Sequence, residues 1–463
     1  MLKVYNTLTQ KKESFRPRKG RKVNLFVCGP TVYDYSHIGH ARTYIIFDVI
    51  VRYLKEKGYD VFYLQNITDI DDKIINRAAE RKTTPQKLAR NFEKEYLKDM
   101  KSLKVDSVDK YARATEHIKE IISQVERLIR KGFAYQIEDG IYYDISKFKE
   151  YGKLSKRTAL QAEDSVSRID ESKGKRNKGD FCLWKFSKAR EPSWPSPWGK
   201  GRPGWHIEDT AITERYFGSQ YDIHGGARDL IFPHHEAEIA QMEAISGKSP
   251  LVKYWLHSGF LTVKSQKMAK SLGNFITIKD FLKDNPLRFL RLLIVKTHYR
   301  SPIDYNEEAI LQCQKELARI DEFTNKIKNV KDKTQEGKVE LKIADYENNF
   351  AEAMEDDFNT PKAVAVIFDL VNKANVLISQ SKLSSTGSKD IFKFLKKVDK
   401  IFGFILKEKS REKTPQEIIG LAKEREKYRK EKNWQKADEA RKEIEKMGYR
   451  VEDTEEGPKI KKI

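Results

Sequence analysis

His37 and His40 stand three residues apart in Ser36-His37-Ile38-Gly39-His40, where an apolar run with helical spacing begins. That spacing puts both imidazoles on one face, and Gly39 between them removes the side chain that would keep a flat base or a phosphate at a distance. Two such rings aimed at a phosphate can stabilise the charge that builds up as a leaving group departs. A lone His-x-x-His pair is more often structural. Far downstream, Lys267, Lys270 and Ser271 lie in the polar run Gln266-Lys267-Met268-Ala269-Lys270-Ser271. Two lysines and a hydroxyl on a loop can close over a triphosphate and release it afterwards, whereas the plainer reading is a charged, solvated face. Six of the nine histidines fall at positions 37, 40, 206, 224, 234 and 235, in stretches dense with Gly, Pro and Trp. Scattered core histidines would not gather in this way.

The elements that must hold these residues read as follows. A strand from Val23 to Cys28 is closed by Gly29-Pro30, and a helix runs from about Ser36 through Tyr53. A second strand, Val61 to Leu64, precedes Asn66-Ile67-Thr68-Asp69-Ile70-Asp71-Asp72. Strand, helix, strand predicts a βαβ unit in a parallel sheet, with its ligand at the carboxyl ends of the strands. From about residue 96 the pattern turns helical and charged and ends in the polar stretch Glu171 to Asp180, read as a mobile part of an insertion. Beyond about residue 280 amphipathic helix dominates, interrupted at Lys331–Gly337 and Ser379–Ser388, and one strongly charged helix is expected from about Pro415 to Met447.

The chain has 463 residues, 39% of them hydrophobic, enough for roughly three domains with ordinary cores. Cys28, Cys182 and Cys313 are odd in number and far apart, which argues against a disulfide framework. The balance of 90 Lys and Arg against 69 Asp and Glu gives a formal charge of +21. That excess suits a polyanionic partner, or equally a lysine-rich surface of the kind common in heat-adapted proteins. With no apolar run of about 18 residues and no apolar N-terminal stretch, a cytoplasmic protein without membrane association is expected.

The His37/Lys267 pair resembles the two signature motifs of class I aminoacyl-tRNA synthetases. The segments Cys28-Gly29-Pro30-Thr31-Val32-Tyr33-Asp34, Gly201-Arg202-Pro203-Gly204-Trp205-His206-Ile207-Glu208 and Asp229-Leu230-Ile231-Phe232-Pro233-His234-His235-Glu236 are similar to those of the cysteine-specific members of that class. The resemblance extends over most of the chain, through Asp356-Asp357-Phe358-Asn359-Thr360-Pro361 to the segment after Trp434. It implies an α/β fold: a Rossmann-like parallel-sheet catalytic domain (1–95 and 201–255) interrupted by an inserted domain (96–200). A lysine-loop region (256–285), an all-α tRNA-binding bundle (286–405) and a small C-terminal module (406–463) would follow.

The same resemblance implies one zinc ion per chain in the amino-acid pocket, held in the family by two cysteines, a histidine and a glutamate. Cys28, His234 and Glu238 match, and the fourth position is Asp209 here. Zinc accepts carboxylate at about 2.0–2.2 Å and thiolate at about 2.3 Å, and an ionised Asp keeps the charge of a thiolate while being a harder donor. Read alone, Cys28 is a buried cysteine ending a strand. Gly29, Thr31, Thr68, Trp205, His206 and His224 correspond to the cysteine pocket, and Ile38, Gly39, Gly225, Gly226, Asp229, Met268, Lys270 and Ser271 to the ATP site, with His37, His40, Lys267 and Lys270 catalytic. Ala227 and Ala269 stand where the family commonly has glycine and serine.

The expected activity is therefore ATP-dependent activation of L-cysteine, with Mg2+ accompanying ATP, and transfer to tRNA(Cys) by a monomer. Two alternatives share these motifs: a cysteine ligase with an amino-sugar acceptor in thiol biosynthesis, and a non-catalytic RNA-binding paralogue. The roughly 60-residue C-terminal unit argues against the first, and retention of both charged motifs against the second.

Overall fold

Apolar, β-branched and aromatic runs build the two central strands of a parallel sheet, Lys22–Val27 and Asp60–Ile67, and Val23, Leu25, Phe26 and Val27 are wholly buried, as strands covered on both faces must be. The computed structural model describes residues 1–157, 172–268, 272–330, 341–407, 415–454 and 457–462. They fall into two units, Met1–Leu406 and Lys407–Ile463.

Five parallel strands lie in the order Val252–Ser258, Tyr221–Ala227, Lys22–Val27, Asp60–Ile67, Lys110–Arg113. Counted along the chain, this is the doubly wound order 3-2-1-4-5, and the direction of winding reverses between Lys22–Val27 and Tyr221–Ala227. The third strand falls inside 96–200, so the parallel sheet reaches past the expected boundary at residue 95. Its sequence, Lys-Tyr-Ala-Arg, buries only Ala112 and carries charge at both ends, which is the pattern of an edge strand rather than of a sheet interior.

The insertion contains a four-stranded antiparallel sheet formed by Ala134–Ile137, Gly140–Tyr143, Phe181–Phe186 and Gly201–Pro203, so it extends three residues beyond the expected 200. The polar stretch read as mobile is tied down over its described part, 172–180. The buried Asp180 accepts from the Tyr135 hydroxyl at 2.6 Å and from the Ile145 amide at 3.0 Å, and the Arg176 amide donates to the Tyr135 oxygen at 2.8 Å. Buried carboxylate hydrogen bonds, invisible to composition, supply the order.

Helix Ile38–Glu56 lies against the sheet with nearly every side chain buried. Its Asp48 meets Arg291 of helix Leu287–Val295 at 2.8 Å with both side chains fully buried, and Arg291 also donates to the carbonyls of Phe402 (2.6 Å) and Leu103 (3.0 Å). This is the joint between the sheet domain and helices Glu307–Lys328, Ile343–Glu355, Thr360–Ser379 and Ser385–Phe402. Strand Ile303–Tyr305 lies within this helical stretch and pairs with Leu261–Val263, which in turn pairs with Gln266–Lys267.

The C-terminal unit holds two helices, Gln416–Lys430 and Trp434–Lys446, rather than the single one expected, followed by the hairpin Tyr449–Thr454 and Gly457–Lys462. Lys432 takes a left-handed φ of 58°, and the Asn433 side chain accepts from the Lys436 amide to cap the second helix. Among the described residues no helix is long and apolar enough to cross a membrane.

Removing Arg291 takes a buried cation from Asp48, which keeps Arg52 at 2.9 Å and the Ser107 hydroxyl at 2.6 Å, and leaves the Phe402 and Leu103 carbonyls without their guanidinium donor. Arg291→Ala is expected to lose about 3–5 kcal/mol of stability, read as a drop in the urea midpoint. A loss under about 1 kcal/mol would show that the joint does not depend on this pair.

Candidate functional site

The carboxyl ends of the strands converge where the winding reverses. Cys28 follows the first strand, Asn66 and Thr68 close the second, Gly225–Ala227 end the fourth and His257 lies near the end of the fifth. There a cavity of about 540 Å3 opens, with Cys28, Asp209, His234 and Trp205 at one end and His37, His40, Lys267 and Met268 at the other. Gly29, Thr31, Thr68, Gly39, Ala227 and Asp229 also line it.

Asp209 comes from the first turn of helix Ile207–Phe217. His234 precedes helix Glu236–Ser246, and the chain leading to it is kinked at Phe232. The contact expected from the spacing of His234 and Glu238 is nevertheless made, at 3.3 Å. The Cys28 thiol donates to Asp209 Oδ2 at 3.3 Å, and that oxygen lies 3.0 Å from His234 Nε2. The other Asp209 oxygen accepts from the Asn66 side-chain amide at 2.6 Å, so Asn66 fixes the rotation of the carboxylate. One ligand atom each of Cys28, Asp209, His234 and Glu238 lie within 4.8 Å of one another, all four residues being buried.

Two observations say that this set suits a cation. Both Glu238 carboxylate oxygens are buried without a hydrogen-bond partner among the described residues. Burial, with the Asp209 and Glu238 carboxylates beside it, pushes the Cys28 thiol well up, and burial next to Asp209 and Glu208 pushes Glu238 up likewise. Donors this close and this dry keep their protons unless a positive charge lies among them.

Behind Cys28 stands a second rank of residues, of which sequence reasoning named His224 for the cysteine pocket but gave His235 and His257 no role. His235 Nε2 and His224 Nε2 lie 3.1 and 3.3 Å from its sulfur. His235 leans through Nδ1 on His257 at 2.8 Å, His257 on the Thr7 hydroxyl at 2.8 Å, and His224 Nδ1 on the Tyr221 hydroxyl at 2.7 Å. Cys28, His224, His235 and Glu238 form an alternative donor cluster. His224 and His206 do not line the cavity. His206 backs His234, with the two Nδ1 atoms 2.9 Å apart, and Trp205 stacks on the His234 ring at 4.5 Å. His235 adjoins a flagged residue and His257 sits near a strand end; these are the signals that could have found them.

At the other end His37 caps helix Ile38–Glu56. Its Nδ1 accepts from the Gly39 amide at 3.1 Å, and His40 Nδ1 accepts from the His37 amide at 3.2 Å. Each neutral ring must then carry its proton on Nε2. Burial lowers His37 to about 3 and His40 to about 4. Both rings are therefore neutral, with Nδ1 taken by a backbone amide and the proton on Nε2. A Cβ on Gly39 would stand 2.8 Å from the His37 ring and 2.9 Å from Met268 Cε, so the glycine gives Met268 of the lysine loop room to approach. Gly225 and Gly226 likewise admit the Phe47 and His235 rings, at 2.3 and 2.7 Å from such a Cβ, and neither lines the cavity; Ile38 is in the core. Lys267 Nζ lies 3.9 Å from Asp229. The segment after the loop is strapped to the histidine motif, Ile38 N–H donating to Ile276 O at 3.1 Å and Ile278 N–H to Ser36 O at 2.9 Å. Ala269, Lys270 and Ser271 lie outside the described residues.

Residues 14–315 match the family described as the tRNA synthetases class I (C) catalytic domain, and residues 349–407 match the DALR domain. A cysteine–tRNA ligase of Thermococcus gammatolerans is 45% identical over 100% of this chain and 99% of its own. One from Methanococcus maripaludis is 45% identical over the whole of both chains, and one from Carboxydothermus hydrogenoformans is 43% identical with the same coverage. Among solved structures, Mycobacterium tuberculosis methionyl-tRNA synthetase in complex with methionyl-adenylate aligns with a TM-score of 0.64 over 83% of this chain and 92% of that one, at 16% identity, a likeness of fold.

Histidines whose proton affinity is depressed in the folded state bind fewer protons folded than unfolded once the pH drops below their usual 6.5. Their contribution to stability is complete above about pH 6.5 and declines as the pH falls toward about 4. The double variant His37→Gln/His40→Gln is expected to show a shallower fall of the urea midpoint over that window than the parent. Parallel curves would mean that the two rings protonate as readily folded as unfolded.

Proposed function

Because the chain belongs to the class I tRNA synthetases of the cysteine type, we propose that its cavity joins cysteine to AMP between the Cys28 end and the His37 end. The cysteinyl group then passes to the 3′ end of tRNA(Cys). What carries this reading is the continuity of one cavity from Cys28, Asp209 and His234 to His37, His40 and Lys267. The full-length relatives, C-terminal unit included, are cysteine–tRNA ligases, which favours neither the thiol-pathway ligase nor the non-catalytic paralogue.

In the first step a carboxylate oxygen of cysteine attacks the α-phosphorus of ATP, a P–O bond forms, and the bond to the bridging oxygen breaks as pyrophosphate leaves with its electron pair. The His37 and His40 Nε2–H groups donate to phosphate oxygens as charge develops on them. Lys267 supplies the mobile positive charge; it is largely exposed and, among the described residues, held by the long contact to Asp229 and by the Phe260 ring 5.5 Å away, so it can leave that carboxylate for the triphosphate. In the second step a ribose hydroxyl of the tRNA attacks the carbonyl carbon, the bond to the phosphate oxygen breaks, AMP leaves, and the hydroxyl proton passes to solvent.

Cys28, Asp209, His234 and Glu238 are the residues that would hold zinc. When bound there, the ion offers a Lewis acid to the thiolate of cysteine, which serine and alanine cannot match, so selection would rest on bond chemistry rather than cavity size. Asn66 keeps Asp209 turned toward the centre, and His206 and Trp205 hold the plane of the His234 ring. Mg2+ would enter with ATP.

Cysteine-dependent ATP–pyrophosphate exchange together with acylation of a tRNA(Cys) transcript tests the function. Both activities are expected; no exchange overturns the reading, and exchange without acylation favours the thiol-pathway ligase. Lys267→Ala is expected to lower the exchange kcat by about 10²–10³-fold with folding unchanged. For the metal, the parent is expected to hold close to one zinc per chain by elemental analysis, and Asp209→Ala to be depleted by about 10–100-fold in affinity. Full zinc retention in Asp209→Ala would remove Asp209 from the ligand set.

A further inference from the structure

The cavity has a third wall that neither cysteine nor ATP explains. Tyr33, Lys73 and Arg77 line it together with the two ends already described. Lys73 and Arg77 are four residues apart on helix Asp72–Glu80, one helical turn, and so share a face. The adjacent face of that helix, about 100° round, buries Ile74 and Ala78 in a small apolar cluster with Val32, Ile67, Leu88 and Phe92, against which Tyr33 packs. The wall is therefore a firm platform, half-buried at Tyr33 and exposed at Lys73.

Its charge is arranged for something from outside. Lys73 Nζ stands over the Tyr33 ring, 5.8 Å from its centre, and makes no ion pair among the described residues. The carboxylates around it are engaged elsewhere. Asp71 caps the helix by accepting from the Lys73 amide at 2.7 Å, and Asp72 is taken by Arg202 and by Lys185 at 3.2 Å. Asp34 faces Arg77 at 3.3 Å and Arg81 at 4.0 Å. An aromatic face beside an uncommitted ammonium is the combination that accepts a nucleotide, the base on the ring and the phosphodiester on the cation.

We propose that Tyr33, Lys73 and Arg77 form the subsite that receives the 3′-terminal nucleotides of the tRNA. A base stacks on Tyr33 while phosphate oxygens accept from Lys73, and Arg77, held by Asp34 at 3.3 Å and Glu80 at 3.0 Å, lends positive charge beside them. The assignment rests on the charging reading above. It places the incoming ribose in the same cavity as His37 and Cys28, hence beside the carbonyl carbon that the hydroxyl must attack. It also separates the half-reactions: the platform serves the transfer and has no part in making the adenylate.

The test uses the full chain. Lys73→Ala and Tyr33→Leu are each measured for cysteine-dependent ATP–pyrophosphate exchange and for single-turnover transfer from preformed cysteinyl-adenylate to a tRNA(Cys) transcript. Exchange is expected to stay within about twofold of the parent, which also reports intact folding, while transfer at subsaturating tRNA falls about tenfold or more. Tyr33→Phe, which keeps the ring, is expected to restore transfer, and Lys73→Ala to flatten its dependence on salt. Exchange falling in step with transfer would assign the residues to the adenylate site and overturn the proposal, as would transfer unchanged in both variants. If the parent exchanges but acylates no tRNA, the charging reading itself fails, a result distinct from any difference between variants.

Discussion

A thiol and two carboxylates packed beside an imidazole in one dry volume repel one another once ionised, and this constraint organises the catalytic unit. The donors arrive from separate elements: a strand end for Cys28, a first helical turn for Asp209, a kinked approach for His234 and a helix body for Glu238. Bringing them together uncompensated would cost several kcal/mol. The surrounding groups are placed accordingly. Asn66 occupies one oxygen of Asp209, and His206, His224, His235 and His257 surround the cluster as rings that burial keeps neutral. Uncharged imidazoles can orient donors without adding charge of either sign.

The phosphate end obeys a different rule, because its groups must move. His37 and His40 are fixed by backbone amides at a helix start, while Met268 of the lysine loop rests against Gly39 between them. Arg42, two residues further along the same helix, donates to the carbonyls of Phe260, Tyr299 and Ser301. One helix thus carries the histidines, holds the strand that leads into the lysine loop, and through Asp48 and Arg291 grips the helical bundle. Displacement of the bundle would be felt at the phosphates through a single rigid element, by contacts rather than by charge.

Legibility followed physical type. The histidine and lysine motifs, the central strands and the long buried helix were readable because their side chains are unusual in number, spacing or apolarity. The strand Lys110–Arg113 was not, since an edge strand shows little hydrophobic pattern. The break between the last two helices was hidden inside a continuous run of charge, where only Asn433 marks it. His235, His257 and Asn66 escaped because their importance lies in what folding sets beside Cys28 and Asp209, and no local spacing records that. Gly39, Gly225 and Gly226 show the same divide: sequence shows that room is needed there, and the fold adds that the His37, Phe47 and His235 rings and Met268 stand close enough to require it.

Asp209 has one more consequence, which concerns oxidation. With a carboxylate oxygen 3.3 Å from the Cys28 sulfur, the centre holds a single thiol, and the other two cysteines, Cys182 and Cys313, are packed into different apolar clusters. A centre with two thiols can collapse into an internal disulfide when it loses its cation and meets an oxidant. This one has no second sulfur within reach, so a sulfenic acid formed at Cys28 could be capped only by a small thiol arriving through the cavity, a bond that thiol exchange reverses. A carboxylate in place of a second thiol closes the route by which such a pocket would lock itself shut.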